Sequence, residues 1–338
     1  MGFLSMFYRI FLLCYDCFVI VCLLLSHIYN KLLYFGHMNH NKYLIVVGGP
    51  TAVGKTSTSI ALANSLGCDI ISADSRQFYR EMKVGTAKPT TEEQAQAKHH
   101  FIDSLSITEE YSVGKFETDT LDLLNGLFQK NTHCILTGGS GLYLNAIING
   151  LDKFPAIDAS YRQTLNQELD ENGLFSLVKE LEKSDPTYFA KVDKNNPQRV
   201  IRALEVTRAT NKPFSSFLRK SPVKRPFNIL PFKIEMDRES LYERINLRVD
   251  LMLKEGLKEE ALSLYPQRAL NALRTVGYSE WFDHFDGLID ETTAISLIKR
   301  NTRRYAKRQI TWFKNQGDYK GFEQGAHIVE RMLDALPR

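Results

Sequence analysis

The segment Gly49-Pro-Thr-Ala-Val-Gly54-Lys55-Thr56 constrains the fold of this 338-residue chain more than any other feature. It satisfies G-x-x-x-x-G-K-[ST] in full. The apolar run KYLIVV (42–47) precedes it, and STSIALANSL (57–66), with helical spacing, comes after it. The glycines allow a backbone path in which successive N–H groups point at phosphate oxygens. Lys55 adds a cation, and the helix opening near Thr56 aims its positive end at the same anion. Gly49, Pro50, Thr51, Ala52, Val53, Gly54, Lys55 and Thr56 are therefore expected to cradle a phosphate group, with the Thr56 hydroxyl placed to ligand Mg²⁺.

A strand enters this loop and a helix leaves it, and the same alternation continues down the chain. CDIISAD (68–74) reads as a second strand, residues 113–128 as a helix and CILTGG (134–139) as a third strand. Strands alternating with helices predict an α/β fold, a P-loop NTPase-like doubly wound parallel sheet. Beyond residue 150 the pattern turns helical, at 159–181 and 197–209, with loops at Pro213, Pro222 and Pro226. FNILPFKIEM (227–236) then resembles a returning strand. Residues 150–227 are read as a helical insertion domain within a core formed by 38–149 and 228–338. Long amphipathic helices are expected at 241–264 and 292–313.

Hydrophobic residues make up 43% and charged residues 24% of the chain, which excludes a largely disordered or collagen-like protein. Five Cys in 338 residues exclude a disulfide-stapled secreted scaffold. The net charge of +4 is unevenly spread, −1 over residues 1–150 and +5 over 151–338, so a polyanionic partner is expected on the second half. Residues 1–37 differ from the rest. Their charged groups are Arg9, Asp16 and Lys31, and 10–25 is apolar apart from Asp16. A membrane anchor would bury Asp16 at a cost approaching ~3 kcal/mol, and a secretory signal lacks its small-residue cleavage site. An over-extended start, with the natural opening at Met38, is the third reading and implies a cytoplasmic protein. Cys14 and Cys17 have C-x-x-C spacing but no second ligand pair, which argues against zinc.

The ligand of the loop is less constrained than its phosphate. An NTPase needs an apolar strand ending in Asp for its Mg²⁺ shell, and residues 134–139 end in Thr-Gly-Gly. The acid that does end a strand is Asp74. It could act as a general base, sit near Mg²⁺, cap a helix or pair with Arg76 or Arg80.

Several long segments resemble the bacterial tRNA dimethylallyltransferases, also called tRNA isopentenyltransferases: GPTAVGKT (49–56), ADSRQFYR (73–80), VGTAKPT (84–90), GGSGLYLNAIINGL (138–151), NNPQRVIRALEV (195–206), LYERINLRVDLML (241–253), LRTVGYSE (273–280) and NTRRYAKRQITWF (301–313). They occur in family order across residues 42–313; residues 1–37 have no counterpart. The resemblance implies transfer of a dimethylallyl group from dimethylallyl diphosphate to the exocyclic amine of adenosine 37, in the anticodon stem-loop of tRNA. The P-loop would then hold a diphosphate leaving group, with Mg²⁺ and Lys55 neutralising its growing charge. Asp74 would accept the amine proton, and Ser140, where the family has Thr, would meet the diphosphate with its hydroxyl. Arg248, one turn from Arg244, would clamp the same group.

The resemblance also assigns tRNA contact to Asp74, Ser75, Arg76, Gln77, Ser140 and Arg162; to Gln198, Arg199, Val200, Ile201 and Arg202; to Arg274, Thr275, Val276, Gly277, Tyr278 and Ser279; and to Thr302, Arg303, Arg304, Tyr305, Ala306, Lys307, Arg308 and Gln309. Independently of it, residues 299–314 hold seven cations and no acid, a pattern expected of a phosphate footprint beside a buried stripe of Ile295, Ile298, Tyr305, Trp312 and Phe313. A monomer without a stable protein partner is expected. The alternatives are a P-loop kinase of small metabolites or nucleotides, which does not need this basic helix; an enzyme prenylating free adenine nucleotides; and an RNA-binding protein with a vestigial loop, against which the intact Lys55 and Thr56 argue.

Overall fold

The computed structural model describes residues 42–337 except Lys220. The apolar leader and its Cys pair lie outside the described residues. Among these, no helix is long and apolar enough to cross a membrane.

The chain divides into two units. The larger comprises residues up to 112, 118–144 and 225–338; the smaller comprises 113–117 and 145–224. The smaller unit thus begins before residue 150 and ends before 227.

The larger unit is built on β1 (Tyr43–Gly48), whose YLIVVG sequence is buried from Leu44 onward. It continues through α1 (Lys55–Leu66), β2 (Ile70–Ser72), α2 (Thr91–Gln96), β3 (His99–His100), α3 (Val113–Leu127), β4 (His133–Gly138) and α4 (Gly141–Asn149); α3 and α4 each straddle a unit boundary. In the smaller unit α5 (Ala159–Ser184) is interrupted at Gly173, where φ is 73° and ψ 170°, and α6 (Pro186–Phe189) and α7 (Pro197–Thr210) come next. Leu165, Leu177, Leu181, Val200, Ile201 and Leu204 form its core. The larger unit resumes with β5 (Asn228–Glu235), α8 (Arg238–Lys254), α9 (Leu257–Leu264), α10 (Ser279–Phe285), α11 (Glu291–Lys314), β6 (Lys320–Glu323) and α12 (Ile328–Leu333).

All strand pairs are parallel, in the order β3-β2-β4-β1-β5-β6. From β1 the chain runs to one side for β2 and β3 and later to the other for β5 and β6. A crevice therefore opens at the carboxyl end of β1, the place where open α/β sheets bind ligands. Near-continuous apolar runs in β1 and β4 suit strands covered on both faces.

The helix expected over 241–264 is two helices. Gly256 adopts φ 95° and breaks it, forming the N-cap of α9. On α11 the buried residues are Ala294, Ile298, Ala306, Gln309 and Phe313; Ile295, Tyr305 and Trp312 are half-buried. The C-terminal turns of α11 pack against glycine backbone. A Cβ on Gly48 would lie 2.4 Å from the Phe313 ring, and one on Gly141 2.4 Å from the Trp312 indole. These glycines let α11 press onto the end of β1 and the start of α4.

Candidate active site

The loop between β1 and α1 holds three left-handed residues, Gly49 (φ 150°), Ala52 (φ 65°) and Gly54 (φ 104°). Ala52 occupies a region that disfavours a side chain, and such strain persists where the surroundings impose it. The Lys55 ammonium curls back to donate to the Pro50 carbonyl at 2.8 Å. Burial pushes its pKa down to about 8; Asp74 opposes this shift and Arg248 adds to it. Gln309 spans the loop from α11. Its Oε1 accepts from Thr51 N–H at 2.9 Å, and its Nε2 donates to the Gly139 carbonyl at 2.9 Å. The resemblance assigns Gln309 to tRNA; in the structure its side chain is buried and both ends are used in holding the P-loop.

Asp74 comes just after β2. Its Oδ1 accepts from the Arg76 backbone N–H at 2.9 Å, while Arg80 pairs with Glu109 at 3.6 Å. The carboxylate is thus set by a local turn and borders a small recess with Lys55, Thr56, Ser72, Gln77 and His99. Sequence reasoning missed His99, which no motif singles out. Burial lowers its pKa, and Nδ1 lies 2.8 Å from the Ala97 carbonyl. Ser140 Oγ accepts from Ser75 N–H at 3.3 Å and donates to Ser75 Oγ at 3.4 Å. Gln77 is committed to the scaffold, accepting from Ser72 Oγ and donating to the Thr86 and Ala87 carbonyls.

Arg248 reaches the loop from α8, donating to Thr51 Oγ1 at 3.3 Å and to the Ala87 carbonyl at 3.4 Å. Burial pulls its pKa below the ordinary arginine value, against the attraction of Asp74. Asp74 and Arg248 share the rim of a cavity of about 350 Å³, within the range of small-molecule sites. Ile245, Val249 and Met252 of α8, with Leu257, Val276 and Ile298, form its apolar wall. Sequence reasoning missed this wall as well. Its only trace is the i, i+4, i+7 spacing on α8, which equally marks ordinary core.

Of the residues assigned to tRNA, Asp74, Ser75, Arg76, Arg274, Thr275, Val276, Gly277, Thr302, Tyr305 and Arg308 border this one cavity. Arg76 donates to the Arg274 carbonyl at 3.5 Å. Burial and the Asp74 charge push the Tyr305 phenol up to about 12, so it stays protonated at neutral pH. Tyr278 and Ala306 are fully buried and present no side chain to an RNA. Ser279 is exposed at the start of α10.

The basic helix is less uniform than its sequence. Lys299 pairs with Asp250 of α8 at 2.6 Å, so an acid does compensate it, from another element. Arg303 donates to Asn246 Oδ1 at 2.6 Å. Arg300, Arg304, Lys307 and Lys314 are exposed and, among the described residues, in no ion pair. Arg308 is exposed and lies 5.7 Å from the Tyr305 ring centre.

In the smaller unit Arg162 and Arg202 both pair with Glu205, at 2.5 and 3.1 Å. Gln198 and Arg199 are exposed on the first turn of α7. Val200 and Ile201, also assigned to tRNA, are fully buried; helical periodicity turns them inward, where they pack in the core.

A further carboxylate organises the segment opposite Arg248. Glu260 of α9 accepts from the N–H groups of Lys83, Val84 and Gly85 at 2.8, 2.8 and 3.0 Å, and from the Tyr278 hydroxyl at 2.6 Å. Hydrogen bonds to a charged group are each worth roughly 1.5–3 kcal/mol.

A P-loop, two recessed cations, a carboxylate and an apolar wall around one cavity are the make-up of a group-transfer enzyme. The IPP transferase family model matches residues 77–316. The tRNA dimethylallyltransferase of Christiangramia forsetii is 53% identical over 283 residues, covering 84% of this chain and 94% of that protein. A full-length tRNA isopentenylpyrophosphate transferase from Bacillus halodurans superposes with a TM-score of 0.65 at 38% identity, covering 87% of this chain and 95% of its own. A eukaryotic dimethylallyltransferase acting on tRNA gives 0.69 at 26% identity, covering 83% and 74%. The chain belongs to the IPP transferase family.

Lys55 sets a pH dependence. A bound polyanion favours its charged form, so above about pH 8 binding must take up a proton. The affinity for inorganic diphosphate is expected to fall as pH rises from 7 to 9.5, more steeply than in Lys55→Arg, whose guanidinium stays charged. Calorimetric titration across that range measures it, and parallel profiles for the two proteins would contradict it.

Proposed function

We propose that the chain is a tRNA dimethylallyltransferase, moving the dimethylallyl group of dimethylallyl diphosphate to the exocyclic amine of adenosine 37 and releasing diphosphate. One observation carries this reading: a single cavity joins the Asp74 carboxylate and the Arg248–Thr51 edge of the P-loop to the wall of Ile245, Val249, Met252 and Ile298. Base, anion site and hydrocarbon surface are the three things such a transfer needs in one space.

The diphosphate lies along the P-loop, with Lys55 and Arg248 on it, and the five-carbon tail lies against the apolar wall. Adenine leaves the anticodon stack to reach Asp74, at a cost of a few kcal/mol, and Arg76, Arg274 and Tyr305 line its approach. The amine nitrogen attacks the allylic carbon as the carbon–oxygen bond breaks. The bonding electrons leave with the diphosphate, and the amine proton passes to Asp74. Lys55, Arg248 and the Ser140 hydroxyl meet the charge that develops on the leaving oxygens. No water needs activating, which fits β4 ending at Gly138 without an acid.

Among the described residues no group of three or more His, Cys, Asp or Glu could hold a metal by itself. The Thr56 hydroxyl beside a diphosphate does fit Mg²⁺, which commonly takes one or two protein oxygens plus substrate phosphates. When bound there it would neutralise leaving-group charge. A monomer acting in the cytoplasm is the working form we propose.

Asp74→Asn keeps the shape and removes the proton acceptor. The single-turnover rate is expected to fall roughly 10²–10⁴-fold with tRNA affinity near normal; rapid-quench assays measure it, and a rate within about three-fold of wild type removes Asp74 from the mechanism. For the basic helix, each free cation on a phosphate releases counterions. Arg304→Ala and Lys307→Ala are expected to lower the log–log salt slope of tRNA binding by about 0.7–1 each. Lys299→Ala, already neutralised by Asp250, should leave the slope unchanged. Slopes equal to that of the wild type in Arg304→Ala and Lys307→Ala would move the footprint off α11.

A further inference from the structure

The cavity is bordered by a chain of hydrogen-bonded segments that runs from Asp74 round to the P-loop. Asp74 takes the Arg76 N–H, and the Arg76 side chain reaches the Arg274 carbonyl. The turn from Arg274 carries Tyr278, whose hydroxyl meets Glu260. Glu260 holds the amides of residues 83–85, and that strap runs on to Ala87, whose carbonyl receives Arg248 and whose φ is 46°. Arg248 ends the chain on Thr51 of the P-loop. Gly85, Thr86 and Ala87 border the cavity themselves, as do Arg248, Arg274 and Gly277.

Within this chain Glu260 ties the strap to the 274–278 turn through both of its oxygens. One of its oxygens takes Lys83 and Val84 N–H, and the other takes both Gly85 N–H and the Tyr278 hydroxyl. Gly85 lies so close to the Tyr278 ring that a Cβ there would sit 2.6 Å from it. Downstream, Lys88 anchors the strap on the Tyr79 carbonyl and Asp103. The strap is therefore held at both ends, and Ala87 stands between its anchors as the seat of the Arg248 guanidinium.

We propose that Glu260 is a positioning residue for the transfer reaction: by holding the strap at 83–87 it sets the Ala87 carbonyl, and through it the Arg248 guanidinium, over the phosphate loop. This rests on reading Arg248 as the diphosphate clamp. Glu260 touches no substrate and acts through Arg248. A misplacement of one ångström at a group that orients a reactant can cost about a hundred-fold.

Glu260→Gln tests this, because an amide turns an N–H toward the backbone donors it must accept. The Michaelis constant for dimethylallyl diphosphate is expected to rise about ten-fold, with the tRNA dissociation constant within about two-fold of wild type. Arg248→Ala is expected to raise the same Michaelis constant, and Glu260→Gln added to Arg248→Ala to raise it no further, since one residue works through the other. Full multiplication of the two effects would mean that they act independently and overturns the proposal. An unchanged constant in Glu260→Gln beside a raised one in Arg248→Ala overturns the proposal alone. An unchanged constant in Arg248→Ala overturns the clamp and the proposal with it. Should Glu260→Gln fail to fold by circular dichroism, Tyr278→Phe serves instead: loss of one neutral donor is expected to raise the constant about three-fold, and an unchanged constant overturns the proposal.

Discussion

Charge drawn out of water at the carboxyl end of β1 governs this molecule. Lys55 and Arg248 converge on Thr51 and Pro50 of the P-loop, and burial lowers the pKa of both. Recessed cations are costly unless an opposite charge meets them. In the protein alone Asp74 favours the charged form of each, and Glu93 and Glu255 add to it for Arg248. A diphosphate on the loop would supply far more of it, and would free Asp74 for the proton of an attacking amine. On the proposed reading, phosphate binding and base catalysis are two consequences of one electrostatic arrangement.

The scaffold keeps these groups in place with few side chains. Gln309 bridges the P-loop and the turn after β4. Phe313 and Trp312 bear on Gly48 and Gly141, where any larger residue would collide. Glu260 fixes the opposite wall. The helix that carries the exposed cations also carries Gln309, so the surface suited to RNA phosphates and the loop suited to a diphosphate share one rigid element. Arg304 and Lys307 point to solvent while Ala306 and Gln309, on the same turns, face the core.

The parts legible in the sequence were those encoded by neighbours along the chain. The P-loop, β1, the acid just after β2 and the basic run of α11 are each set by neighbouring residues, and local patterns express their chemistry directly. What escaped notice depends on contacts between distant segments. The Asp250 that neutralises Lys299 lies on another helix, and so does the Asn246 that engages Arg303. Whether Val200, Tyr278, Ala306 and Gln309 face a ligand or the core is decided by packing, and all four face the core. The apolar wall at Ile245, Val249 and Met252 has the periodicity of any buried helix face. Gly256 was visible as a residue, but its left-handed break of an otherwise continuous amphipathic pattern was not.

The chemistry assigned to the cavity has one direct signature. Protein lacking the first 37 residues, incubated with dimethylallyl diphosphate, Mg²⁺ and unmodified tRNA, should yield N6-isopentenyladenosine on digestion to nucleosides, with one diphosphate released per modified adenosine and no orthophosphate. Adenosine left unmodified, or orthophosphate appearing in place of diphosphate, would contradict a P-loop that holds a leaving group rather than a nucleotide to be cleaved.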